Sequence, residues 1–264
     1  MLQVIDIEAA SRAVFSHMKP GVIANRAMKP DEYHTEISGG NLYAHEWDGG
    51  LLFLRKKKGR HLLTFLIKDL ESYPGIDLPE DTVMEIPQKT TQPNKAAEYW
   101  ARNGFNTAFE RIRLTRPVGE ASAAAYDAGV GVDIFPAMAE NYEDVRALLW
   151  GSFDHRTGCL PDDDELKESI KRGEVLIVKV ANSVGGVLRA IEKLASAEIR
   201  QLAVREDLRG TGLSHKLVRA FTARFAGKKQ IVWVRDGYTA AIKTYTATGF
   251  APDGRRSIVM TRKA

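Results

Sequence analysis

An arginine and two glycines, Arg209-Gly210-Thr211-Gly212, separate an apolar stretch (Ile199 to Val204) from an amphipathic one. The second stretch puts Leu213, Leu217, Val218, Phe221 and Phe225 on one helical face. The first reads as a strand, so the glycines form a strand-to-helix turn. Such a turn aims unpaired backbone N–H groups and the positive end of a helix dipole at one spot, which suits an anion. Glycine lets the backbone approach that anion and adopts positive φ readily. The expected anion is a phosphate or diphosphate.

Two phosphate motifs are excluded by the residues present. A Walker loop needs Gly-Lys-Ser/Thr, and Gly227-Lys228 is followed by Lys229. A dinucleotide fingerprint needs a third glycine, where this chain has His215. Arg209-Gly210-Thr211-Gly212-Leu213-Ser214 resembles instead the coenzyme A diphosphate loop of the GNAT (N-acetyltransferase) superfamily, Arg/Gln-x-x-Gly-x-Gly/Ala. Ser214 replaces the last small residue, a mild departure.

Downstream, Gln230 to Arg235 reads as a strand and Thr239 to Thr248 as a helix capped by Gly249. Ala241-Ile-Lys-Thr-Tyr245-Thr-Ala-Thr-Gly249-Phe250 resembles the superfamily's Ala-Ile-x-x-Tyr-x-x-x-Gly-Phe element. The resemblance makes Tyr245 a candidate proton donor to a departing thiolate. It is incomplete at Tyr238, where the superfamily often has asparagine. Upstream, the resemblance gives the strand Ala197 to Val204 a splay from its neighbour. Leu202, Ala203 and Val204 would then offer backbone groups to a pantetheine arm as if to an added strand. Glu198 falls where some members carry a general base; strand alternation puts it on one face with Arg200, Leu202 and Val204. The two readings of Glu198, a base or a carboxylate paired with Arg200, stand side by side, since many relatives deprotonate the amine through water.

With 264 residues, 44% hydrophobic and 27% charged, the composition is that of a globular protein of one large or two ordinary domains. No apolar run approaches the ~20 residues of a membrane span. The N-terminus has no basic start followed by a long apolar stretch, and the single Cys159 excludes an internal disulfide, so a cytoplasmic location is expected. Cys159 reads as a small packed residue. The six histidines are scattered without ligand spacing, so no metal is expected. Net charge is +4, with much of the excess in Arg55-Lys-Lys-Lys58-Gly-Arg60, read as a solvated hairpin end. No aromatic residues interleave it as a nucleic-acid platform would require.

A worn repeat runs through the chain. Ala96 to Phe105 and Ala241 to Phe250 each read as a helix ending in Gly-Phe, followed by a strand closing in Thr-Arg (Thr115-Arg116, Thr261-Arg262). Strands at Asn41 to Trp47, Gly50 to Lys57, His61 to Lys68 and Thr82 to Pro87 fill the first half. The second half reads as helices at Asn141 to Trp150 and Asp163 to Arg172, then strands at Glu174 to Val180 and Val184 to Ile191. Gly119 to Gly131 reads as a linker. The expected fold is α/β of the α+β type. It has two tandem GNAT-like domains, 1–128 and 129–264, each a mixed, mostly antiparallel sheet flanked by helices. The first lacks the diphosphate loop: Asp69 to Asp81 carries five acids instead, which would repel a diphosphate.

The resemblance implies acyl transfer, acetyl above all, from acetyl-CoA to a small-molecule or peptide amine by direct attack. Arg209, Gly210, Thr211, Gly212, Leu213 and Ser214 would hold the diphosphate, and Gly151 to Arg156 would shape the acceptor pocket. Asp154 there fits either a cationic amine or a local turn bond. A non-catalytic acyl-CoA sensor is a second reading, favoured by the degenerate first half and Tyr238. Transfer from a charged tRNA is a third, against which the intact diphosphate loop argues. Neither a membrane nor a nucleic-acid partner is expected, and oligomeric state is open.

Overall fold

The computed structural model describes residues 1–4, 6–26, 30–88, 94–119 and 133–262. They form two compact units, Met1–Glu110 with Arg255–Ala264, and Arg111–Gly254. The boundary expected at 128/129, and all of the linker but Gly119, lie outside the described residues. The first unit is not one consecutive stretch of chain, whereas the second is. Strand β7 (Phe105–Arg116) begins in the first unit, and residues 111–116 continue into the second. Strand β13 (Ala251–Arg262) leaves the second unit and completes the first.

In the first unit, α1 (Ile7–His17) and α2 (Pro30–Ser38) precede a meander of β3 (Leu42–Trp47), β4 (Gly50–Lys57) and β5 (Arg60–Ile67). The pairings β3·β4 and β4·β5 are antiparallel. The short strands β1 (Leu2–Gln3) and β2 (Ile23–Ala24) pair with β3 and β5. Strand β6 (Thr82–Gln88) is parallel to β5 and antiparallel to β13. Helix α3 (Lys95–Arg102) packs Tyr99 and Trp100 against Phe65, Phe105 and Met260. The meander falls within a residue or two of expectation at each end. Helices α1 and α2 have no counterpart in that expectation, although Asp6 caps α1 by accepting from the N–H groups of Glu8 (2.9 Å) and Ala9 (3.2 Å).

The basic hairpin end is not fully solvated. Arg55 and Arg60 are buried, and Lys57 pairs with Glu36 on α2 at 2.9 Å. Arg55 and Lys57 share a strand face with Leu51 and Phe53, which pack under α1 and α2, so strand alternation turns them inward. Between β5 and β6 there is only a single 3₁₀ turn, Leu70–Ser72, where the second unit has a full helix.

In the second unit, β8 (Ile134–Pro136), α4 (Tyr142–Ser152) and α5 (Asp163–Lys171) lead to β9 (Val175–Val180), β10 (Ser183–Glu192) and β11 (Ser196–Val204). The ladders β8·β9, β9·β10 and β10·β11 are antiparallel. Helix α6 (Leu213–Arg224) crosses to β12 (Lys229–Arg235), parallel to β11 and antiparallel to residues 111–116 of β7. Helix α7 (Thr239–Thr246) then leads into β13. Asp162 caps α5, accepting from Glu165 N–H at 2.8 Å. One sheet face is covered by α6 and α7 through Leu217, Phe221 and Tyr245, the other by α4 and α5 through Leu149 and Leu166. Gly104 and Gly249 close the two halves of the repeat alike, at φ 86° and 87°. No described helix is long and apolar enough to cross a membrane.

Candidate functional site

The turn after β11 is built as its glycines require. Arg205 is held by a paired contact to Asp207 (2.6 and 2.9 Å), and a 3₁₀ turn spans Glu206–Leu208. Gly210 then adopts φ 82° and Gly212 φ 84°, both left-handed, and α6 starts at Leu213. A Cβ on either glycine would meet nothing within 4 Å, so positive φ, not crowding, calls for glycine here. The first bond into the helix is Lys216 N–H to Gly212 C=O at 3.1 Å. Among the described residues, the N–H groups of Gly210, Gly212, Leu213, Ser214 and His215 therefore have no protein acceptor. Thr211 differs: its N–H and its hydroxyl both point back to Leu208 C=O, at 3.4 and 2.6 Å. Arg209 is 62% exposed and reaches Glu206 only at 3.8 Å, a pair worth little in water.

Among the described residues, the preceding strand has a free edge. The ladder of β11 with β12 runs from Ser196↔Lys229 to Ile199↔Val232, while its ladder with β10 continues to Val204. Arg205 N–H donates to Gly185 C=O at 2.9 Å, and an antiparallel ladder bonds alternate residues. Gln201 and Ala203 therefore turn their peptide groups to β10, and Leu202 and Val204 turn theirs to the side that β12 has left. Ala203, expected among the ligand-holding residues, contributes no free backbone group.

A β-bulge corrects the expected facing of Glu198. Arg189 opposes Gln201 and Ala190 opposes Ile199, so Arg200 is an extra residue on β11. The bulge shifts the alternation by one. Ala197 and Ile199 pack on the α6/α7 side with Leu202 and Val204, whereas Glu198 lies on the opposite face with Gln201 and Ala203. Glu198 is 7% exposed and bonded to Arg200 Nη1 (2.7 Å) and Lys193 Nζ (3.0 Å). Burial by itself raises its pKa, but Arg200 and then Lys193 more than offset that and hold it below the usual glutamate range. A carboxylate so held is a weak base.

Its charge is instead a stabilising element. Because the folded carboxyl titrates below the unfolded one, its contribution is full above the unfolded value and lost as pH falls through the folded one. Glu198→Gln is expected to lower stability by ~1–2 kcal/mol at neutral pH, with the deficit fading at acid pH in thermal melts.

The bulge also aims a residue that the sequence pattern does not reveal. Gln201, fully buried, accepts from Arg189 Nη1 at 3.2 Å and donates to Cys159 C=O at 2.8 Å. Arg111 on β7 donates to Thr157 C=O at 2.7 Å. The loop between α4 and α5 is thus held by two strands through its carbonyls. Cys159 is half-buried with φ 51°, its Sγ 3.6 Å from Arg111 Nη1. Asp154 makes the local bonds of a turn, to Arg156 N–H (3.1 Å), Thr157 N–H (2.8 Å) and the Thr157 hydroxyl (2.7 Å).

Tyr245, 5% exposed, packs edge-on to Phe250 in the cluster that includes Leu217 and, at its margin, Leu202 and Val204. It lies on the same side of the sheet as α6. Burial, with a smaller contribution from Tyr238, pushes its phenol well above the ordinary tyrosine range, so it keeps its proton at neutral pH. Tyr238 itself is exposed and leaves the start of α7 without a side-chain cap.

Residues 180–258, the part of the chain that contains this site, match the family model described as FR47-like protein. No curated protein matches the sequence. Several solved structures are similar over almost the whole chain. A tandem GNAT protein from the clavulanic acid biosynthesis pathway is 12% identical with a TM-score of 0.58, covering 97% of this chain and 93% of its own. An acetyltransferase of the GNAT family from Colwellia psychrerythraea is 11% identical with a TM-score of 0.56, covering 99% and 98%. A GCN5-related N-acetyltransferase from Sphaerobacter thermophilus is 11% identical with a TM-score of 0.56, covering 92% and 95%. At these identities the likeness is one of fold.

Proposed function

We propose that this chain, whose fold is similar to that of tandem GNAT proteins and whose residues 180–258 match the FR47-like family model, has in its second unit an acyl-CoA-dependent N-acyltransferase. Acetyl transfer from acetyl-CoA to a primary amine is the reaction that the site supports best. One observation carries the reading: the acceptor-free N–H groups of Gly210 and Gly212 to His215 follow directly on the free edge at Leu202 and Val204. One anchors a diphosphate and the other an amide-bearing arm, the two parts that coenzyme A joins in a single molecule. The exposed turn and the open space over both glycines leave room for it.

Each residue then has a task. The N–H groups at the start of α6, with Arg209 swung over from its weak pair, bind the diphosphate. Leu202 and Val204 orient the arm and direct an N–H toward the thioester carbonyl. As the amine attacks, the carbonyl oxygen gains charge, and a preplaced N–H donor is worth ~3 kcal/mol. The C–N bond forms, the C–S bond breaks, and the amine's surplus proton ends on the thiol. Glu198 is too weak a base for that proton, so water carries it. Tyr245 donates a hydrogen bond to the departing sulfur; with its raised pKa it is a weaker acid than a thiol, so it stabilises the thiolate without giving up its proton for good.

The paired state of Glu198 gives weight to a second reading, an acyl-CoA-binding module without turnover. Thiol release from acetyl-CoA, measured across a panel of primary amines at neutral pH, separates the two. Amine-dependent release of free coenzyme A is expected. Tight binding with release no faster than in buffer, for every amine, establishes the binding module instead.

A further inference from the structure

The first unit contains the same kind of parting strands as the second, and its freed edge is filled. Strands β5 and β6 pair only at His61↔Thr82 and Leu62↔Val83 before they separate. Lys68 N–H donates to Gly49 C=O at 2.9 Å, so even-numbered residues of β5 bond to β4, and Leu63, Phe65 and Ile67 turn their peptide groups to the edge that β6 vacates. At the corresponding edge of the second unit, Leu202 and Val204 are open among the described residues. Here Ile23 pairs with Ile67 and Ala24 with Leu66, antiparallel. The next residue completes the cover by its side chain. Asn25, 5% exposed, donates from Nδ2 to Leu63 C=O at 2.9 Å and accepts at Oδ1 from Phe65 N–H at 2.9 Å. A carboxamide has the donor and acceptor of one peptide group, so Asn25 acts as a further residue of added strand.

We propose that Ile23–Asn25 is a built-in occupant of the first unit's splay, standing where the second unit takes the amide-bearing arm of an acyl-CoA. Each chain then loads one acyl-CoA, a count that rests on the function proposed for the second unit. The surroundings agree. Beyond β5 there is only the 3₁₀ turn Leu70–Ser72, so no helix N-terminus follows the strand to meet a phosphate, and the acids there have partners of their own: Asp69 caps the turn, Asp77 pairs with Arg262 at 2.8 Å and Asp81 with His61 at 2.7 Å. An edge with no partner is a liability in a sheet, exposing unpaired N–H and C=O groups to other chains. A unit without a diphosphate loop keeps its edge covered by using its own chain.

The test is amide hydrogen exchange by NMR on the full chain, with and without saturating acetyl-CoA, alongside calorimetry. The Phe65 amide is expected to exchange slowly without ligand and to be unchanged by it, while the Leu202 and Val204 amides gain protection and binding saturates at one per chain. Asn25→Ala should speed exchange at Phe65 at least tenfold. Fast exchange of Phe65 in the unliganded wild-type chain overturns the occupant, as does a second acetyl-CoA per chain or ligand-dependent protection at Phe65. Failure of acetyl-CoA to bind at all would remove the function proposed for the second unit and the count of one. The occupant would still be decided by the unliganded Phe65 rate, which needs no variant to fold.

Discussion

Replacing Gly210 and Gly212 together by aspartate is expected to weaken acetyl-CoA binding at least a hundredfold, with the protein still folded. Neither position is crowded, so the new side chains enter the open space in which the diphosphate is proposed to bind rather than the core. Asparagine and aspartate tolerate the left-handed backbone found there better than other non-glycine residues, which limits the folding cost. The binding cost is electrostatic. A carboxylate about 4 Å from a phosphate charge repels it by ~1 kcal/mol in water and ~4 kcal/mol near a protein surface, and two carboxylates face two phosphates. Calorimetry with acetyl-CoA reads the loss directly, and thermal melts verify the fold. Gly212→Ala serves as the contrast. It carries the backbone strain of φ 84°, about 1–2 kcal/mol, without the charge, and should lower stability more than affinity. Equal affinity in wild type and the double aspartate variant would end the coenzyme assignment.

Whether a feature was legible in the sequence depended on whether its cause was local. The turn at residues 209–214 and the helix end at Gly249 follow from glycine φ preferences and from helical periodicity, signals contained in a few consecutive residues. The strand meander of the first half and the order of elements in the second are legible for the same reason. The facing of Glu198 is not, because it depends on which residue of β11 opposes which residue of β10. One extra residue at Arg200 reverses the alternation, and nothing in Ala197 to Val204 announces it.

The same limit hides the aim of Gln201 and the inward turn of Arg55 and Arg60, since both are set by partners on other elements. Nor is the composition of each unit a sequential matter. The repeat makes both ends look alike, and only strand pairing assigns residues 111–116 to β12 and residues 256–261 to β6. Asn25 is the extreme case. An asparagine after two apolar residues reads as a turn former, and its part in covering a strand edge exists only once β6 has parted from β5.

Tyr245→Phe is expected to lower kcat by about 10- to 100-fold while acetyl-CoA affinity changes by less than twofold. The change removes one oxygen from a buried ring whose packing on Phe250 and Leu217 remains, so the core should survive. A hydrogen bond to a charged partner is worth ~1.5–3 kcal/mol, and the sulfur acquires that charge only as the C–S bond breaks. The loss therefore belongs to the transition state and appears in kcat and kcat/KM alike, with KM little altered. The pH profile adds a second readout. Because burial holds the phenol protonated far above neutrality, the wild-type rate should show no alkaline limb from Tyr245 ionising between pH 7 and 10, and the phenylalanine variant should be lower by a constant factor across that range. An unchanged kcat would take Tyr245 out of the chemistry and leave the thiolate to solvent. A matching rise in KM with kcat intact would make it a residue that shapes the binding of the arm.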